Sequence, residues 1–213
     1  MSTEVDSGQC RALLSDTDHR HRPRKRGVAL EKAITEAVIA ELGERGYTSM
    51  SFESVATRAG TGKSALYRRW ADKASMTSCA IAAALPDAET LPLVGDLRED
   101  LIVYLETIAA CMHGPLGLGM RLLSFEVFRH VEFAGMWQAQ VVVPWQDLLE
   151  RIIADAIERG QARVGATAPD CVMAGPSMLC HRFMVTGVSM DRAGIEALVD
   201  DALMPMLGAR AAG

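Results

Sequence analysis

The stretch Ser51–Lys73, SFESVATRAGTGKSALYRRWADK, decides the fold. Phe52, Val55, Ala56 and Ala59 recur at i, i+3, i+4 and i+7, which predicts a helix of about two turns with one apolar stripe. Ser51 is its natural N-cap. Ala59-Gly60-Thr61-Gly62 predicts a turn, and a second short helix follows. In that helix Leu66 and Trp70 mark the buried side, while Lys63, Ser64, Tyr67 and Arg68 share another face that can donate hydrogen bonds along its length. Upstream, Leu30, Ile34, Val38 and Leu42, with Ala33 and Ala37 beside them, predict an amphipathic helix from Val28 to about Arg45, stopped by Gly46. Three helices in roughly 45 residues, the last two joined by a tight turn, have the spacing of a helix-turn-helix, whose second helix lies in the major groove while the first crosses the backbone.

Charge agrees with a polyanionic partner. The net charge of −5 hides an asymmetry: Arg20–Lys73 holds 12 Lys/Arg against 6 Asp/Glu, whereas Ala74–Gly213 holds 9 against 17. A basic N-terminal third on an acidic remainder suggests one module that meets a polyanion and one that does not, although on charge alone a solvated basic face is the default reading. Ahead of the first helix, HRHRPRKR (His19–Arg26) reads as an extended arm because of Pro23. Arg22, Arg24, Lys25 and Arg26 would follow phosphates or lie in a minor groove; the other reading is a solubilising tail. Met1–Thr17 is polar and aperiodic, and is expected to be disordered.

With 49% hydrophobic residues and a mean hydropathy of +0.11, the chain can build a packed core. No run approaches the roughly 18 apolar residues of a membrane span, and no secretory signal is visible, so a cytoplasmic protein is expected, without a membrane partner. The five cysteines are odd in number, widely spaced and free of C-x-x-C, which suits reduced thiols better than a disulfide framework or zinc site.

Beyond Lys73 the pattern stays helical. A helix from Lys73 to about Leu85 leads to LPDAETLPLVG (Leu85–Gly95), a Pro-marked connection. Asp96, with Glu99 three residues on, starts a helix striped by Leu97, Leu101, Tyr104, Leu105, Ile108 and Met112. GPLGLG (Gly114–Gly119) is read as a break, with a new helix from Met120. Val141–Val143 could be a short strand, but Pro144 suits the first turn of a helix carrying Leu148, Leu149, Ile152 and Ile153, and helix is preferred. Asp170–Val185 and Asp191–Leu207 complete an all-α chain.

Catalysis has no candidate site. Cys180-His181 and Cys111-x-His113 supply thiolate and imidazole, but neighbours on a helix point about 100° apart and do not converge. No phosphate loop, nucleophile elbow, paired carboxylates or metal-ligand spacing stands out, so neither cofactor nor metal is expected.

The segment GYTSMSFESVATRAGTGKSALYRRWADK (Gly46–Lys73) resembles the DNA-binding signature of tetracycline-repressor (TetR) family regulators: Gly-Tyr after the first helix, a capped second helix, Ala-Gly at the turn, then Leu-Tyr-x-x-aromatic and a Lys three residues further. The resemblance is specific over Val28 to about Ala84. Gly62 stands where a Ser or Asn cap is usual and Ala71 replaces a common Pro; neither change removes a DNA-contacting group. The resemblance implies a basic arm over 1–27, a helix-turn-helix domain over 28–73, a connecting helix and linker over 74–95, and a helical ligand-binding and dimerisation domain over 96–213. Together with the helical geometry it assigns Lys63, Ser64 and Arg68 to base edges, and Thr48, Ser51, Tyr67, Arg69 and Lys73 to phosphates of a double-stranded operator. It further implies a homodimer through the last two helices and a small-molecule ligand, mostly apolar, for which Tyr104, Met112, His113, Phe125, Phe128, Trp137 and His181 are candidate lining residues. The implied function is a repressor released from a palindromic operator by that ligand. Two rival readings are a sequence-independent architectural DNA-binding protein and an enzyme using Cys180 or His181.

Overall fold

The computed structural model describes residues 24–127 and 131–208. As the periodicity predicts, the described chain is helical, its one β feature being an isolated bridge between Ala162 and Gly208. In order come α1 (Arg24–Ser49), α2 (Phe52–Ala59), α3 (Lys63–Tyr67), α4 (Lys73–Ala84), a 3-10 turn (Ala88–Thr90), α5 (Leu97–Cys111), α6 (Gly114–Val127) and α7 (Val131–Trp137). A π-helical turn (Gln138–Val142) leads into α8 (Val143–Glu158); then follow α9 (Pro169–Thr186), α10 (Arg192–Leu198), a second π-helical turn (Val199–Leu203) and α11 (Met204–Leu207). Compactness divides the chain into two units. The first comprises the described residues up to Leu85 together with Gly114–Val143; the second comprises Pro86–His113 and the described residues from Pro144 on.

The first unit is built on the stripes read from the sequence: Ile34, Val38 and Leu42 of α1 pack with Val55 of α2, and with Leu66 and Trp70. Gly46 ends the long first helix, as expected, and a separate short turn follows it within the span of α1. Its φ of 72° and ψ of 167° lie where only glycine is comfortable, and the short turn runs as far as Ser49. At the other end, Arg24, Lys25 and Arg26 open α1 instead of forming an extended arm. A proline preceding a helix removes none of its internal hydrogen bonds, so Pro23 does not forbid this start. Arg22 lies outside the described residues.

The helix does break ahead of GPLGLG, α5 ending at Cys111, but GPLGLG is not the gap: α6 begins at Gly114 itself (φ 62°) rather than at Met120. The glycines serve close packing. A Cβ on Gly119 would lie 3.1 Å from the Cβ of Leu42, and one on Gly43 would lie 3.3 Å from the carbonyl oxygen of Pro115. Their absence lets α1 and α6 pack backbone to backbone, and that contact outweighs the low helix propensity of glycine.

Val141–Val143 is helical, as preferred over a strand. Pro144, however, does not start a helix from a loop: it follows the π-helical turn, in which the Val143 N–H reaches back to the Gln138 carbonyl. The wider turn moves the preceding carbonyls away from the pyrrolidine ring. Pro205 is accommodated in the same way, two residues past the end of the second π-helical turn.

The second unit has a mainly aliphatic core, with Leu101, Tyr104, Leu105, Ile153, Val199 and Leu203 at its centre. Asp96 caps α5 as predicted, accepting the Glu99 N–H at 3.1 Å. Cys111, Cys171 and Cys180 are free thiols. No single described helix is long and apolar enough to cross a membrane.

Candidate nucleic-acid interface

The N-terminus of α2 is fixed by a reciprocal cap. The Ser51 hydroxyl accepts the Ser54 N–H at 3.1 Å, and the Ser54 hydroxyl oxygen accepts the Ser51 N–H at 3.1 Å. Gly60, at φ 67°, ends the helix in the left-handed region, and the Thr61 N–H closes the turn on the Ala56 carbonyl at 3.0 Å. α3 then starts at Lys63 after Gly62, which offers no side-chain cap. It is only five residues long, with Arg68 already at its C-cap. Its orientation comes from burial instead: Leu66 and Trp70 are fixed in the core.

That anchoring leaves Lys63, Ser64, Tyr67 and Arg68 exposed together on the outer face, as the helical spacing predicts. Tyr67 lies flat on Phe52, with ring centroids 4.4 Å apart and planes 7° from parallel. The Lys63 ammonium is 5.8 Å from the centre of the Tyr67 ring and 3.6 Å from the Glu53 carboxylate. Thr48 and Ser51 are exposed at the junction of α1 and α2. Arg69 is half-buried and acts on Glu31, whose carboxyl is pushed up by burial and drawn back by that guanidinium. Lys73 points inward: its ammonium donates to the carbonyls of Tyr47 at 2.7 Å and Thr48 at 3.3 Å, and lies 4.3 Å from the centre of the Tyr47 ring. It thus closes the end of α1 beyond Gly46.

A brace invisible to the sequence reading holds α2 against α1. Arg58 Nε donates to Glu41 Oε1 at 2.9 Å, and both terminal nitrogens of the guanidinium donate to the Glu44 carboxylate, one of them at 2.9 Å. Glu41 is buried, and its second oxygen lies 3.6 Å from Arg45. The Arg58 hydrogen bond holds the Glu44 carboxyl below its ordinary range. The only sequence hint was two glutamates three residues apart on the first helix, which say nothing about a partner 17 and 14 residues away.

The candidate ligand residues fall in different places. Tyr104 and Met112 belong to the core of the second unit, and the Tyr104 hydroxyl donates to the Trp145 carbonyl at 3.0 Å. Burial raises its pKa. Trp137 packs on the core of the first unit. His113 and His181 are exposed, and the side chains of Phe125 and Phe128 lie outside the described residues. Within the second unit, Tyr104, Leu105, Gly175, Pro176 and Leu203 help to line a depression with an empty volume of about 220 Å³, open solvent included. Among the described residues no group of three or more His, Cys, Asp or Glu could hold a metal ion.

A capped helix, a glycine turn and a short exposed helix anchored by two buried side chains define a helix-turn-helix. Residues 34–78 match the model of bacterial regulatory proteins of the tetR family, and residues 91–202 match that of the tetracyclin repressor-like C-terminal domain. The chain belongs to the TetR family of helix-turn-helix transcriptional regulators. It is 30% identical to the DNA-binding transcriptional repressor TetR of Mycobacteroides abscessus over 200 residues, 87% of this chain and 98% of that protein. An uncharacterised HTH-type transcriptional regulator of Mycobacterium tuberculosis is 27% identical, over 83% of this chain and 87% of its own. In fold the chain is similar to the regulator FadR of Bacillus subtilis, solved with stearoyl-CoA: the TM-score is 0.66 at 14% identity, over 83% of this chain and 97% of that one.

Proposed function

We propose that the chain is a homodimeric, cytoplasmic repressor that binds a roughly palindromic operator and is released from it by a small apolar ligand. The observation that carries this reading is the exposed row Lys63, Ser64, Tyr67 and Arg68 above the buried pair Leu66 and Trp70. Lys63, Ser64 and Arg68 read base edges; Thr48, Ser51, Tyr67 and Arg69 hold phosphates. Lys73 acts partly through the Tyr47–Thr48 carbonyls, positioning Thr48 at the backbone. Repression is supported by the Mycobacteroides abscessus relative, a DNA-binding transcriptional repressor.

Pairing of two heads is supported by α9. Cys171, Ala174, Met178, His181 and Val185 repeat at alternating three- and four-residue steps, the spacing of a helix-packing seam. Met178 and Val185 are 50% and 66% exposed. A second copy covering this seam would set two recognition helices on half-sites about 34–36 Å apart. The ligand acts by binding better to an arrangement that misses that spacing.

The test is selection of duplexes from a random pool by the purified protein. A two-fold symmetric site is expected; indifference to sequence would sink the reading in favour of an architectural protein. Lys63→Ala should relax base preference, whereas Arg69→Ala should weaken all duplexes alike and flatten the salt dependence.

A further inference from the structure

Glu53 is an anomaly on a face that meets a polyanion. Its side chain is 78% exposed in the first turn of α2, and its carboxylate lies 3.6 Å from the ammonium of Lys63 at the start of α3. The Lys63 ammonium also lies 5.8 Å from the centre of the Tyr67 ring, which itself is stacked on Phe52, the residue beside Glu53. Phe52, Tyr67, Lys63 and Glu53 therefore form one chain of contacts linking the two helices of the motif, and that chain ends in a negative charge. The carboxylate gains from the positive end of α2, but it repels every phosphate that approaches Lys63.

From this placement we propose that Glu53 is a specificity-determining residue: it neutralises Lys63 towards the sugar-phosphate backbone and leaves it effective only at a base edge. The inference rests on the operator-binding reading above. A phosphate that captures Lys63 must either remove it from Glu53 or approach the carboxylate, so sequence-independent binding is penalised. At the floor of the major groove the partner is an uncharged base. There Lys63 can donate to guanine O6 or N7 and keep Glu53 as its second partner, and the carboxylate itself can accept from a cytosine amino group. Binding without sequence information is weakened more than binding to the operator. Selectivity rises although the total attraction falls.

The experiment compares wild type with Glu53→Gln on two probes, the duplex that the wild type enriches from a random pool and a random-sequence duplex of equal length. Glu53→Gln is expected to bind the random duplex about tenfold more tightly and the enriched duplex much less so, with the salt slope on random DNA steeper by about one. Glu36→Gln, which removes an exposed carboxylate of α1, controls for net charge and should leave the ratio of affinities unchanged. In a Lys63→Gln background the Glu53→Gln effect should largely vanish, because the two residues act as a pair. An unchanged affinity ratio in Glu53→Gln, an equal change in Glu36→Gln, or full additivity with Lys63→Gln would each overturn the proposal. Failure of the wild type to enrich any duplex would instead overturn the operator reading, so the two failures are separable.

Discussion

Among the described residues each unit of the molecule buries one carboxylate, and the two are held in opposite ways. In the first unit Glu41 of α1 is met by the Arg58 guanidinium of α2, a side chain from another helix. In the second, Asp100 of α5 accepts the backbone N–H groups of Val94 at 2.7 Å and Gly95 at 3.0 Å, six and five residues before it. A buried charge demands compensation in both cases. The first solution is tertiary and braces the helix that presents the recognition element; the second is local and fixes the approach to a helix. DNA recognition needs the relative placement of two helices, and only a contact between helices can set it.

The comparison can be broken by removing each partner. Arg58→Ala should give the largest loss of stability by chemical denaturation, because it leaves Glu41 buried with only Arg45 near it. Replacing Glu41 with Met in the same chain should recover most of that loss, and no recovery would show that the brace is not what stabilises the unit. Asp100→Asn should cost about 2 kcal/mol, since an amide oxygen can replace one carboxylate oxygen but not both, leaving one of the two N–H groups unpartnered. Backbone amide exchange at Val94 and Gly95 should accelerate with it.

Two glycines extend the contrast. Gly46→Ala should destabilise by about 1–2 kcal/mol although nothing lies within 4 Å of the added methyl, because the cost is conformational. Gly175 has ordinary dihedrals, and its Cβ would meet Leu203 Cδ1 at 2.9 Å. Gly175→Ala should therefore cost about 1 kcal/mol, reduced further by shortening Leu203, whereas no second substitution near Gly46 should help.

Acid gives the smallest expected effect. Arg58 lowers the Glu44 carboxyl and Arg98 lowers that of Asp200, one in each unit. A carboxyl lowered in the folded state contributes stability above its unfolded value, near 4.5 for Glu44 and 3.8 for Asp200, and that contribution is lost as pH falls below it. Both groups are exposed, so Glu44→Gln and Asp200→Asn should only slightly flatten the fall in melting temperature between about pH 5 and 3. A steep residual dependence would mean that other groups govern acid unfolding.

Much of the motif was legible in the sequence because its signals are local. Phe52, Val55 and Ala56 are buried because they share a helical face, Ser51 caps because a hydroxyl sits one residue before that face, and Gly60 turns because the chain needs a positive φ there. The outer row of α3 follows from Leu66 and Trp70 being apolar. Where the reading erred, a preference other than the local one prevailed: packing on Leu42 and Gly43 made GPLGLG helical, and a π-helical turn lets Pro144 follow helical residues.

The sequence by itself determined an all-α chain, a helix-turn-helix near its start, the family, and the residues facing outward from the recognition helix, because helical period, caps and turn chemistry act over three to eight residues. It took the tertiary structure to show that Arg58 ties two helices through a buried glutamate, that Lys73 closes the end of α1, and that Lys63 stands with Glu53 at its side. Such contacts join residues 10 to 26 positions apart. A charged side chain carries no periodicity from which its partner could be read; the packing of the helices between them makes the choice.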